Sequence, residues 1–148
     1  MKKILIVLIA VMLSMFTVIS LTACSTPNSM LDDTKWFLRS YGVQNNLEAI
    51  IEDSEITATF NSADGEISGS AGCNTYWAGY EVKGSGLSIF EMVFTEMACV
   101  SPEGVMEQED VFLSLVANAQ SFEADDTTLT IFCSGGQQLY FTTATRFQ

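Results

Sequence analysis

Residues 55–70 read EITATFNSADGEISGS. In the first six, Ile56, Ala58 and Phe60 alternate with Glu55, Thr57 and Thr59. That period of two turns one face of a strand toward a core. Ser62, Ala63, Asp64 and Gly65 are turn formers, because Gly tolerates positive φ and Ser and Asp hydrogen-bond their own backbone. Residues 66–70 then bring the chain back. A β-hairpin is predicted here, and it sets the reading of its surroundings.

Upstream, residues 34–38 read as a first strand with Trp36 and Leu38 on one face, and residues 45–51 as a loop. Downstream, strands are predicted at 76–82 and 87–90, separated by Lys83, Gly84, Ser85 and Gly86, with another short one at 93–97. Ser101, Pro102 and Glu103 supply a cap-type residue, a first-turn proline and an early acid. They precede a helical stripe of Val105, Phe112, Val116 and Ala119. A closing hairpin places Leu129, Ile131 and Cys133 on one arm and Leu139 and Phe141 on the other, across a Ser134-Gly135-Gly136-Gln137 turn. Short strands joined by turns, plus one amphipathic helix, give a mainly β (α+β) fold. The expected architecture is a curled antiparallel sheet or partly open barrel with one main α-helix. The aromatics Phe60, Tyr76, Trp77, Phe90, Phe94, Phe112 and Phe122 read as core, the usual place for such side chains, rather than as the lining of a ligand cavity.

The N-terminus has a different character. Lys2 and Lys3 precede an apolar run from position 4 to 19 broken only by Ser14 and Thr17, and the run ends in Leu21, Thr22, Ala23 and Cys24. A basic n-region and an apolar h-region read as a signal peptide over residues 1–23; the alternative is an uncleaved membrane anchor, which the length of the run allows but which these flanks and the small residues before Cys24 suit less well. The small residues before the cysteine resemble a lipobox, which implies lipidation of Cys24. Residues 24–31 are then the lipidated N-terminus and linker, and 32–144 the folded domain. Two or more acyl chains hold a protein stably at a membrane without a spanning helix. The expected setting is extracytoplasmic, with the protein lipid-anchored to the cell membrane or an outer membrane.

Removal of the leader leaves 125 residues, enough for one domain. Its basic residues are Lys35, Arg39, Lys83 and Arg146 against 18 acidic ones, a formal charge of −14. Phosphate binding requires clustered Lys and Arg, so a nucleic-acid partner is excluded. The chain has no histidine, which removes Ser-His-Asp and Cys-His catalysis and the commonest zinc ligand. The spacings of Gly65, Gly69, Gly72, Gly84 and Gly86 fit turns and bulges rather than a phosphate cradle. Asp64-Gly65 and Asp125-Asp126 lack the spacing of a calcium loop. Glu103, Glu107, Glu109 and Asp110 crowd the start of the helix, where acids complement the helix dipole and sit solvated. No catalytic residue, metal or cofactor is expected.

The motifs also occur in a telling order: ITATF at 56–60, GEISGSAGCNTYWAGY at 65–80, LSIF at 87–90, TEMAC at 95–99, MEQEDVFLSLV at 106–116 and TLTIF at 128–132. This order resembles the META domain family, which includes the HslJ-like envelope proteins of bacteria. The resemblance rests most on Gly69, Ser70, Gly72, Cys73 and Asn74, on Met97, Ala98 and Cys99, and on Glu107 and Gln108. It implies an antiparallel β fold with one helix, a cell-envelope setting and an association with stress tolerance or virulence. It carries over no catalytic residue. Thr75 and Glu96 stand where the family often has basic residues, so a partner engaged through those charges is not expected.

Three cysteines remain after Cys24, in a compartment where thiols oxidise. Cys133 shares a face with Leu129 and Ile131 and reads as a small apolar core residue. Cys73 and Cys99 end the two most constrained motifs and are paired on that ground, with a redox-active thiol or a metal site as the alternatives. The resulting expectation is a cell-envelope lipoprotein with a non-enzymatic binding or stress-protective role, its partners the membrane through the lipid and an unknown protein or apolar ligand. The competing class is a small carboxylate-dependent enzyme acting on envelope glycans.

Overall fold

The computed structural model describes residues 30–32 and 34–143. The signal peptide, Cys24 and nearly all of the linker lie outside the described residues.

Among the described residues from 34 onward, nine strands and one α-helix follow in the order β1 (Lys35–Val43), β2 (Asn46–Ala49), β3 (Thr57–Asn61), β4 (Glu66–Ser70), β5 (Thr75–Lys83), β6 (Gly86–Phe94), α1 (Val105–Ala117), β7 (Ala119–Ala124), β8 (Thr128–Cys133) and β9 (Gln137–Thr142). Neighbouring strands are antiparallel, and β1 pairs with both β3 and β9. The sheet therefore closes into an eight-stranded barrel, with β2 as an extra strand beside the far half of β1. The hairpin at 55–70 forms with Phe60 opposite Ile67, and Ile56, Ala58 and Phe60 are all buried. An eight-stranded barrel has an interior that side chains can fill. Here Trp36, Phe60, Tyr76, Phe112 and Phe141 fill it, all inaccessible to solvent. Edge-to-face ring pairs, Phe60 with Tyr80 and Tyr76 with Phe112, order the packing. Among the described residues Trp36 Nε1 is the one buried side-chain polar atom without a hydrogen-bond partner.

The two barrel ends differ. Strands β3 and β5 start, and β4 and β6 finish, at the end where α1 lies. Buried Val105, Phe112, Leu113, Leu115 and Val116 face the core there. At the opposite end Leu31 is fully buried and Asp32 bridges to Phe60. The Asp32 carboxylate accepts from Ser62 N at 3.1 Å and from the Tyr80 hydroxyl at 3.4 Å.

Four local expectations are corrected. Residues 46–49 form β2 rather than loop: Asn45, at φ 73°, makes the tight turn that returns the chain onto β1, and the strand's mostly exposed polar residues leave no alternation to read. The strands expected at 87–90 and 93–97 are largely one strand, β6, whose alternation is interrupted by a bulge. The helix stops at Ala117, and Ala119 begins β7, which carries one buried residue, Phe122, and so no apolar pattern. The helix starts on Gly104, at φ 83°, rather than on a Ser101-Pro102 cap; Pro102 O accepts from Val105 N one turn earlier.

Candidate functional site

The most conspicuous polar feature is a knot at the helix end. Gln108 and Glu109 are each 2 % exposed, so the expectation that Glu109 is solvated is corrected; its helix position points inward at the 72–75 turn. Glu109 Oε2 accepts from Cys73 N at 3.1 Å and Asn74 N at 2.6 Å, and Oε1 accepts from Asn74 Nδ2 at 2.6 Å. Three N–H donors replace the lost hydration, which is how a carboxylate is held in a core without a cation. Gln108 works alongside it, accepting from Ile51 N and donating to Ser54 Oγ, both at 2.7 Å. Asn74 passes the link onward: its Oδ1 accepts from the Thr95 hydroxyl at 2.7 Å and from Met97 N at 2.8 Å, and its Nδ2 also donates to Met97 O at 3.1 Å. A disulfide joins Cys73 to Cys99 across the same junction, with Cα atoms 5.9 Å apart. Cys133 is a buried free thiol. Both oxygens of Glu109 are thus spent on holding loops, and the knot builds the rim rather than an open reaction centre.

A groove of about 380 Å³ lies on the outer wall of β4, β5 and β6. Its geometry follows from the register. Glu66, Gly79 and Phe90 lie in one cross-strand row, and Ser68, Trp77 and Val93 in the next. Between Phe90 and Val93 the register shifts at the β6 bulge, where Glu91 adopts φ 53°. An extra residue in one strand resets which side chains face outward, so Phe90 and Val93 both reach solvent. Gly79 leaves a gap that the Phe90 ring fills: a Cβ there would lie 2.8 Å from Phe90 Cδ2. Trp77, Phe90 and Val93 are 39 %, 49 % and 55 % exposed. Asp64, Glu66 and Glu91, all exposed, also line the groove.

The aromatics therefore divide. Phe60, Tyr76, Phe112 and Phe122 are core as expected, whereas Trp77, Phe90 and Phe94 are exposed. Strict alternation gave the sequence signal for Trp77, which is flanked by the inward Tyr76 and Ala78; only the bulge, invisible in the sequence, turns out Phe90 and Val93 together. Glu103, Glu107 and Asp110 are not buried. Asp125 accepts from the Thr127 and Thr128 backbone N–H groups and hydroxyls, which hold its carboxyl down at about 2. It is a turn residue. No group of three or more metal-ligating side chains occurs among the described residues.

The profile of the META domain matches residues 29–146. The chain belongs to the META domain family. Its fold is shared with solved structures: a protein from Burkholderia xenovorans determined by NMR, at 26 % identity and TM-score 0.66, covers 80 % of this chain and 86 % of that one. A second NMR structure, at 18 % identity and TM-score 0.59, covers 80 % and 95 %. A DUF4847 family protein from Bacteroides vulgatus, at 15 % identity and TM-score 0.59, covers 81 % and 99 %. No curated protein matches the sequence. In this META domain, the motif residues Cys73, Asn74, Met97, Cys99 and Gln108 converge on the helix-end junction, while the groove lies outside that junction.

Proposed function

We propose that this META domain protein is an envelope lipoprotein, anchored through Cys24, with a non-enzymatic binding role exercised at the outer wall of β4, β5 and β6. The observation that carries the reading is the exposure of Trp77, Phe90 and Val93 beside one another on a barrel whose interior is already filled. Large apolar side chains grouped on a surface mark interaction sites more often than scattered ones. Acid–base cleavage of a glycan needs two carboxyl groups facing one another across the scissile bond in an enclosing pocket. The buried carboxylate of the knot has both oxygens occupied, and those at the groove are exposed. This favours binding over hydrolysis.

Two measurements test the reading separately. Metabolic labelling with a fatty-acid analogue is expected to mark the native chain and not Cys24→Ser; equal labelling of both rejects the anchor. Cross-linking in envelope preparations through a photoreactive residue at position 93 is expected to trap a partner, with position 88 on the exposed part of β6 as the control. Equal yields at both positions reject the groove as the binding face.

A further inference from the structure

Resting on that reading of the groove, we infer that its occupant is a basic, amphipathic peptide segment. Its Lys or Arg side chains lie over Trp77 and Phe90 between the carboxylates of Asp64, Glu66 and Glu91, with an adjacent apolar side chain against Val93.

The choice follows from charge. Of the basic residues beyond Cys24, Lys35 pairs with Glu55 at 3.5 Å and Lys83 with Glu81 at 3.0 Å. Arg39 donates to the Thr142 hydroxyl at 2.7 Å and lies over the Phe37 ring. Among the described residues no cation lines the groove. Asp64 receives a neutral donor, Asn61 Nδ2 at 2.7 Å, from its own turn, and the rim keeps three negative charges around two exposed rings. An anionic ligand is repelled by this field, and a second copy of a chain that carries −14 beyond its leader brings the same sign to the contact. A wholly apolar ligand would desolvate the carboxylates without compensation. A cation over an aromatic face is attracted by the ring quadrupole and gains further from flanking carboxylates. The chain already pairs cations with a ring at one place, where Lys35 Nζ lies 5.0 Å and Arg39 Cζ 5.9 Å from the centroid of Phe37. Glu91 adds a second indication. Its carboxylate is set at the groove's edge by the β6 bulge, which completes the acidic rim around the two rings.

The test uses the full chain in a non-ionic detergent and a fluorescein-labelled peptide of alternating lysine and leucine, followed by anisotropy. Binding is expected to weaken roughly tenfold, or about 1.4 kcal/mol, in Trp77→Ala and in Glu66→Gln/Glu91→Gln. It is also expected to weaken steeply from low to physiological ionic strength. The same peptide with acetylated lysines is expected to bind at least tenfold more weakly, about the same 1.4 kcal/mol. Glu91→Gly is a second variant that removes a carboxylate at a backbone conformation glycine prefers, so loss of binding there does not reflect loss of fold. Equal affinity for the acetylated peptide, or displacement of the peptide by a neutral oligosaccharide at matched concentration, overturns the cationic occupant while leaving the groove as a binding face. Absence of binding, or binding unchanged in Trp77→Ala, overturns the inference, and the photocross-linking result then stands on its own.

Discussion

Asn74 donates both its backbone N–H and its side-chain amide to the carboxylate of Glu109, each at 2.6 Å. Two residues 35 apart in sequence thereby fix the turn before β5 onto α1. Hydrogen bonds to a buried charge contribute about 1.5–3 kcal/mol, and stranding the donors costs a similar amount. Glu109→Ala is expected to lower stability by about 3 kcal/mol or more. Glu109→Gln retains one acceptor but presents an NH₂ to a donor and is expected to cost about 2 kcal/mol. Urea unfolding checks both, and a midpoint unchanged in the alanine variant would refute the role assigned to the knot.

The Cys73–Cys99 bond spans the same junction, with a sequence separation of 26. Because Asn74 also grips Met97 through both its Oδ1 and its Nδ2, the native arrangement does not depend on the disulfide alone. Its contribution then comes chiefly from restricting the unfolded chain, about 3 kcal/mol for a loop of this size. Cys73→Ala/Cys99→Ala is expected to keep the native far- and near-ultraviolet circular dichroism while unfolding at lower denaturant. Loss of the near-ultraviolet signal under native conditions would show that the bond is needed for the fold itself.

Strand alternation made most of the barrel legible: Ile56, Ala58 and Phe60, then Leu129, Ile131 and Cys133, each mark a buried face, and each is buried. What escaped were elements defined by their neighbours. Strand β2 exists because the outer half of β1 offers free backbone beside it, and β7 because closure of the barrel requires a strand between β6 and β8. Strand β2 carries no apolar face of its own, and β7 sends inward only Phe122 with the small Ala119 and Ala124, too little to read as a strand. Glu109 lay hidden for a different reason. One turn of helix brings an acid either to solvent or to the core, and its sequence position beside Glu107 and Asp110 does not distinguish them; the donors that make burial tolerable belong to residues 73 and 74. The groove was missed: Trp77 and Phe90 read as core, although alternation with the inward Tyr76 and Ala78 turns Trp77 outward, and the exposure of Phe90 together with Val93 depends on the bulge at Glu91.

Two glycines of adjacent strands provide a contrast between backbone and side-chain obstruction. Gly69 sits within β4, not in a turn or bulge as its spacing suggested. A Cβ there would overlap the Thr57 carbonyl, lying 2.7 Å from its carbon, and that carbonyl is held by the Tyr76 hydroxyl at 3.1 Å. Backbone cannot step aside cheaply, so Gly69→Ala is expected to cost about 2–3 kcal/mol. Gly79→Ala meets the ring of Phe90, which is half exposed and free to swing outward. A cost below about 1 kcal/mol is expected there, with the change expressed at the groove. Thermal unfolding of the two variants decides the matter, and equal destabilisation would contradict this geometry.

Cys133 closes β8 with 4 % of its surface exposed, opposite Ala119 on one side and Gln137 on the other. Burial disfavours the thiolate and pushes the thiol up to about 11 from an ordinary 9.0. Because the folded value lies above the unfolded one, this group's contribution to stability is fully present below about pH 9 and declines as pH rises through about 11. Reactivity follows the thiolate and its accessibility. The native full chain is therefore expected to resist iodoacetamide at this position at mildly alkaline pH and to be modified once guanidinium unfolds it. Peptide mapping by mass spectrometry distinguishes Cys133 from the disulfide-bonded pair. Rapid labelling of the native chain at Cys133 would mean that the end of β8 opens to solvent. Cys133→Ala and Cys133→Ser separate the packing from the polarity: both remove the sulfur, but only serine leaves a hydroxyl needing a partner in an apolar site. The serine variant is expected to be the less stable by about 1–3 kcal/mol.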